Sequence, residues 1–196
     1  MSYLSHVPQH ELRQRAGKTV DSPDDRHRDV MSLFPQMTEQ ERSDTRILFR
    51  LERLPGQAPA FLVRSPMLPS NPTPGTQARP EPTDAFAEGQ RVSFRVALNG
   101  VERPRAGGIR PVGDMDEWTA EKLAPALADV TVLNHVREVV GADRRGRAPG
   151  ARKVIQVDTV DGVATVADPE ALQRMLVDGV GRARAYGCGL LTVKRI

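Results

Sequence analysis

A chain of 196 residues holds either one large domain or two of roughly 100 residues each, and at 39% hydrophobic and 27% charged content it reads as a soluble globular protein. A single cysteine excludes an internal disulfide, no Cys/His cluster has zinc-ligand spacing, and no apolar run reaches membrane-spanning length. The net charge of +3 is modest, so the position of the basic residues matters more than their number.

The N-terminal "MSYLSHVPQH" lacks the apolar region of a signal peptide, which predicts a cytoplasmic protein with no membrane partner. Ser2 to Val7 read as a first strand, followed by a basic connection. In "DSPDDRHRDVMSLFP", Ser22 is a helix N-cap with Pro23 at the first helical position and Asp24 and Asp25 in the first turn. Val30, Met31, Leu33 and Phe34 mark that helix's apolar face, and Pro35 ends it. "TRILFRLERL" alternates like a half-buried strand, and "AFLVRS" pairs back on it across the turn "PGQ". Pro66 to Pro82 reads as an irregular loop, and "QRVSFRVALN" as another strand.

In the second half "MDEWTAEKLAPALA" is helical up to Pro125, with Trp118 as a core anchor, while "VTVLNHVREVV" fits either strand or helix. "RKVIQVDTV" and "VATVAD" read as a hairpin turning at "DG". Asp168 caps a helix over "PEALQRMLVDGV", and "GLLTVKRI" is the closing strand. Each half approximates βαββαβ, which predicts an α+β fold of two tandem ferredoxin-like domains, residues 1–98 and 99–196.

Two segments point to a polyanion. "ADRRGRAPGARK" carries Arg144, Arg145, Arg147, Arg152 and Lys153 against Asp143 alone, and its glycines and proline predict a loop or hairpin tip. "GVGRARAYGCGL" combines Gly179, Gly181, Gly187 and Gly189 with Arg182 and Arg184. Its order is helix, loop, strand, so it is not a P-loop, in which phosphate meets a helix N-terminus. Residue types alone leave it open between an anion-receiving loop and a helix C-cap with a tight entry into the strand.

"GVGRARAYGCGLLTV" closely resembles the C-terminal glycine-rich signature of the CasE family of CRISPR RNA-processing endoribonucleases. "DDRHRDVMSLFP" resembles that family's first helix, "FLVRSPMLPSNP" its hairpin strand and proline-containing loop, and "VDGVATVADPEALQRMLVDGVG" its lead into the glycine loop. The resemblance implies a metal-independent endoribonuclease, without a cofactor, that cleaves the repeat stem-loop of a CRISPR transcript. It also implies that the protein, a monomer when free, stays with the product as a subunit of the type I-E surveillance complex. The glycine loop would pack between the domains. A structured-RNA-binding module that does not cut is the alternative.

Metal-free cleavage needs a base for the 2′-OH, a donor for the leaving 5′ oxygen, and positive charge at the phosphate. Of the four histidines, His27 occupies the family's catalytic position, whereas its residue type and place alone favour a packed histidine at a domain seam. Lys153 is the candidate for charge stabilisation, being the last of the basic run and the start of a strand. Some family members carry a tyrosine one helical turn before the histidine; here Asp24 stands there. The acid is therefore open between His27 acting alone and a nearby lysine. Arg26 and Arg28 flank His27 on different helix faces, so at most one is expected at the scissile region. They join Arg144, Arg145, Arg147, Arg152, Arg182 and Arg184 as expected RNA contacts. Aromatic content of 4% disfavours base stacking and favours recognition of a folded hairpin by shape and phosphates.

Overall fold

Residues 2–17, 21–38, 45–83, 86–104, 107–141 and 153–196 are described by a computed structural model of the chain. The first sheet is formed by β1 (Ser2–Pro8), β2 (Leu48–Glu52), β3 (Ala60–Ser65) and β4 (Gln77–Glu81), with helices α1 (Gln9–Ala16) and α2 (Pro23–Met31) between β1 and β2. The second is formed by β5 (Arg91–Leu98), β8 (Leu127–Val140), β9 (Ile155–Val166) and β10 (Leu191–Arg195). Helix α3 (Met115–Leu123) precedes β8, and α4 (Pro169–Asp178) precedes β10. Two short strands, β6 (Val101–Glu102) and β7 (Arg110–Pro111), pair with each other ahead of α3.

The sheet orders are β2-β3-β1-β4 and β10-β5-β9-β8. Numbering each unit's own strands from one to four, both read 4-1-3-2, and every pairing is antiparallel. This is the tandem ferredoxin-like fold expected from the sequence. The first unit departs from it in two respects: two helices rather than one lie between β1 and β2, and residues 66–76 between β3 and β4 contain no helix.

Four local expectations are corrected. The break between sheets falls between β4 and β5, because residues 91–98 pair with β9 and β10; residue 98 is therefore not the end of the first unit. The basic connection contains α1, anchored by Leu12 and closed by Gly17 in the left-handed conformation. The Pro-rich loop contains β4, an exposed edge strand that takes its register from β1. No hairpin turns at Asp161-Gly162, since β9 runs straight through. Gly162 is required there for close approach: a Cβ would strike the Phe94 ring and the Thr131 carbonyl. The ambiguous "VTVLNHVREVV" is β8, whose two register irregularities against β9 break the period-two alternation.

Each unit buries its own core. Val7, Leu12, Val30, Leu33, Phe49, Phe61 and Val63 pack α1 and α2 on the first sheet. Val92, Phe94, Val96, Leu123, Leu127, Val160, Leu172 and Leu176 pack α3 and α4 on the second, with Trp118 partly buried against them.

Two buried arginines tie the units together. Arg50 Nη1 donates to the carbonyls of Arg95 and Leu190, both at 2.9 Å, and its Nη2 to Thr192 Oγ1 at 3.0 Å. Arg64 Nη1 donates to the carbonyls of Leu176 and Leu191 at 2.8 and 2.7 Å. Glu52 and Glu81 balance the two charges. Burial pushes the Arg50 guanidinium down against the pull of Glu52, yet an arginine remains charged at any ordinary pH. No described helix is long and apolar enough to cross a membrane.

Candidate active site

Helix α2 begins as its sequence dictates. Ser22 Oγ accepts the Asp25 N–H at 3.1 Å and donates to Asp25 Oδ2 at 2.6 Å, and Pro23 follows at the first position. The helix buries Pro23, Arg26, Asp29 and Val30, which leaves His27 half-buried at the edge of that stripe.

The second unit brings two side chains to this edge. Lys153 lies just ahead of β9, and Tyr186 closes a 3₁₀ turn, Arg184–Tyr186, inside the glycine-rich segment. Lys153 Nζ donates to Tyr186 Oη at 2.6 Å and to Asp24 Oδ1 at 3.2 Å. The His27 and Tyr186 rings lie 6.4 Å apart, tilted by 58°. The Tyr186 hydrogen bond, then the one to Asp24, holds the Lys153 ammonium above its usual range, so it remains a cation. With Lys153 54% and Asp24 49% exposed, the cluster opens to solvent.

The glycine-rich segment builds this corner. Its four glycines all have positive φ, between 76° and 94°. Gly187 follows Tyr186 at φ 94°, and a Cβ there would lie 3.2 Å from the Phe49 ring on β2. The Gly189 N–H donates to the Ala97 carbonyl at 2.6 Å, fastening the segment to β5. The loop therefore lies between the units, with Tyr186 directed at α2. The segment also ends the preceding helix: Gly179 is the C-cap of α4, its N–H donating to the Met175 carbonyl, at φ 79°, ψ 166° rather than in the left-handed conformation of a Schellman turn. Arg182 and Arg184 are exposed, and Arg184 Nε donates to the Gly181 carbonyl at 3.1 Å. Burial pushes the neighbouring Cys188 thiol up to about 12, so it supplies no thiolate.

Arg26 and Arg28 part company. Arg28 is exposed and pairs with Asp25 at 3.0 Å. Arg26 is 4% exposed and engaged by two carboxylates, Asp21 at 2.7 and 2.8 Å and Glu138 at 2.7 Å, which withdraws it from the expected RNA contacts. Burial alone would raise the Asp21 and Glu138 carboxyls. Hydrogen bonds and charge from Arg26, joined by Arg13 on Asp21 and Arg53 on Glu138, outweigh it and hold both below the usual range. Glu138 is on β8, so Arg26 locks α2 to the second unit near His27.

Of the expected site residues, the fold thus brings Lys153 to the helix of His27 through Tyr186 and Asp24, and places Arg182 and Arg184 on the adjoining loop. Arg144, Arg145, Arg147 and Arg152 lie outside the described residues. Tyr186 and the anchoring role of Asp24 were not foreseen; the phenol's place beside the family's glycines was the available signal. His135 bonds the fully buried Asp158 at 2.8 Å through Nε2, alongside Arg137 at 2.7 Å. A cleft of about 740 Å³ on the seam is lined by Arg50, Glu52, Arg95 and Asp161 among others, and contains none of the His27 cluster.

The whole fold has solved counterparts. A structure of CRISPR endoribonuclease Cse3 bound to a 19-nucleotide RNA superposes with a TM-score of 0.72 at 25% identity, over 99% of this chain and 100% of that one. Cse3 of Thermus thermophilus, bound to an RNA representing a pre-cleavage complex, gives 0.71 at 24% identity over 98% of both chains. A chain of a CRISPR RNA-guided surveillance complex gives 0.66 at 23% identity, over 99% of this chain and 100% of that one. No curated protein matches the chain. The family described as CRISPR associated protein matches residues 2–195, so the chain belongs to that family, as its resemblance to CasE proteins led us to expect.

Proposed function

We propose that the protein is an endoribonuclease that cuts the repeat stem-loop of CRISPR precursor RNA without a metal ion and stays with the product as a subunit of a surveillance complex. The observation that carries this reading is the cluster at which Lys153 of the second unit, bonded to Tyr186 and to Asp24, comes to the helix that carries His27, with the Tyr186 ring 6.4 Å from that of His27. The resemblance to Cse3 bound to RNA, and to a chain of a surveillance complex, supports it.

His27 acts as base. Imidazole as a class titrates near pH 6.5, which suits proton removal from a 2′-OH at neutral pH. The 2′ oxygen then attacks the adjacent phosphorus in line. The phosphorane gains negative charge, and the Lys153 ammonium offsets it. Arg28, Arg182 and Arg184, all exposed, bind phosphates of the stem, together with the basic residues Arg144, Arg145, Arg147 and Arg152.

The test is the purified protein with its own repeat hairpin in excess EDTA. Cleavage should persist, and His27→Ala should retain affinity while losing about a hundred- to ten-thousandfold in rate. A 2′-deoxy sugar just upstream of the cut should bind and resist cleavage. Binding with no cut by the wild-type protein would leave the non-cleaving module as the correct reading. Loss of cleavage in EDTA, restored by a divalent ion, would remove the metal-free mechanism.

A further inference from the structure

We infer that Tyr186 is the proton donor of the cleavage step, its phenol protonating the 5′ oxygen as the P–O5′ bond breaks. This rests on the ribonuclease reading above and assigns the acid that the sequence leaves open between His27 and a lysine.

Two proton transfers occur at opposite ends of an in-line displacement, one from O2′ and one to O5′. An imidazole that has just accepted the first is poorly placed for the second. Tyr186 approaches the same corner from the other unit, its ring 6.4 Å from that of His27, near enough for both polar edges to serve one phosphate. The hydrogen bond from Lys153 fixes the phenol's direction. An ammonium only donates, so at 2.6 Å Oη must accept, and the phenol's own O–H is directed elsewhere. Asp24 takes a second Lys153 proton at 3.2 Å and so anchors the pair to the first turn of α2. Asp24 is a positioning residue: it acts on the phenol through Lys153.

The step balances. O2′ bonds to phosphorus, P–O5′ breaks, His27 keeps the 2′ proton, and O5′ receives the phenol's proton. The products are a 2′,3′-cyclic phosphate and a 5′-hydroxyl. The phenolate recovers a proton from Lys153, and exchange with water resets His27 and Lys153.

Single-turnover cleavage of the repeat hairpin tests this with two substrates, one normal and one with sulfur replacing the bridging 5′ oxygen. A thiolate departs without a proton. Tyr186→Phe keeps the ring and removes only the hydroxyl; it should slow the normal substrate about a hundredfold. It should cut the sulfur substrate at nearly the wild-type rate, while His27→Ala stays slow on both. Tyr186→Phe as fast as wild type on the normal substrate would overturn the assignment, as would equal slowing on both substrates. Wild-type protein that cuts neither would overturn the ribonuclease reading, and this assignment with it.

Discussion

Arg50 and Arg64 on the seam and Arg182 and Arg184 beside the candidate site carry the same side chain in opposite situations. The first two are 2% exposed, each with a carboxylate and at least two acceptors from the other unit. The second two project from a loop held by its backbone. A guanidinium surrounded by carbonyls is committed to holding the units together, whereas one facing water remains available to a polyanion. Arg26 belongs with the first group although it adjoins His27 in sequence. The partners a cation already has, rather than its distance from His27, separate the arginines of the seam from those open to a ligand.

The sharpest way to break this comparison is Arg64→Ala. It strands the Glu81 carboxylate and the carbonyls of Leu176 and Leu191. Removing one partner of a buried pair costs about 3–5 kcal/mol, roughly 10 °C in Tm for a protein of this size. Arg64→Lys should recover little, because an ammonium cannot span the carboxylate and both carbonyls in one plane. A Tm within about 2 °C of wild type would mean that the seam does not depend on this residue.

Next in size is Gly187→Val. At φ 94° a β-branched residue is strained, and its Cβ meets Phe49 at 3.2 Å. The strain is about 1–3 kcal/mol, a Tm loss of several degrees. Because Gly187 directly follows Tyr186, cleavage should fall more steeply than stability. Equal losses of both, measured side by side, would make the loop a structural part only.

A smaller effect is set by pH. The Asp21 and Glu138 carboxyls are depressed in the folded state, so they contribute stability above their unfolded pKa values, near 4. That contribution is lost as pH falls below about 4 and through the folded values. Glu138→Gln should therefore melt below wild type at pH 7 and approach it at pH 3. A constant difference between the two across that range would show that the Arg26 network is not titrating.

What the sequence shows of this architecture follows from how each residue is buried. Alternation revealed β2, β3 and β5 because each strand has an apolar face on its own unit's helices. It hid Arg50 and Arg64, since alternation assumes one buried face, and tandem packing buries the second as well. Helix α1 was illegible with only Leu12 as an apolar anchor among polar residues, and β4 because Pro80 and an exposed pattern give an edge strand no signal of its own. At the site, the cap residues were readable from local spacing, and His27 only through the family resemblance. Their union with Lys153 and Tyr186 was not, because it is made by a contact between units.

The smallest expected effect concerns Arg182→Ala and Arg184→Ala. Each arginine is exposed, and Arg184 also donates to the Gly181 carbonyl within its own loop. Arg182→Ala should change stability by less than about 0.5 kcal/mol, and Arg184→Ala slightly more. Binding should respond instead. Removing a cation that neutralises one phosphate lowers the slope of log affinity against log salt by about 1 and weakens the hairpin complex uniformly across stem sequences. Titrations at several salt concentrations separate the outcomes. A reduced slope with unchanged Tm places these arginines on RNA phosphates. An unchanged slope for both variants would leave the loop arginines as solvated surface, and the division between seam and loop cations would then mark burial alone, with no bearing on RNA.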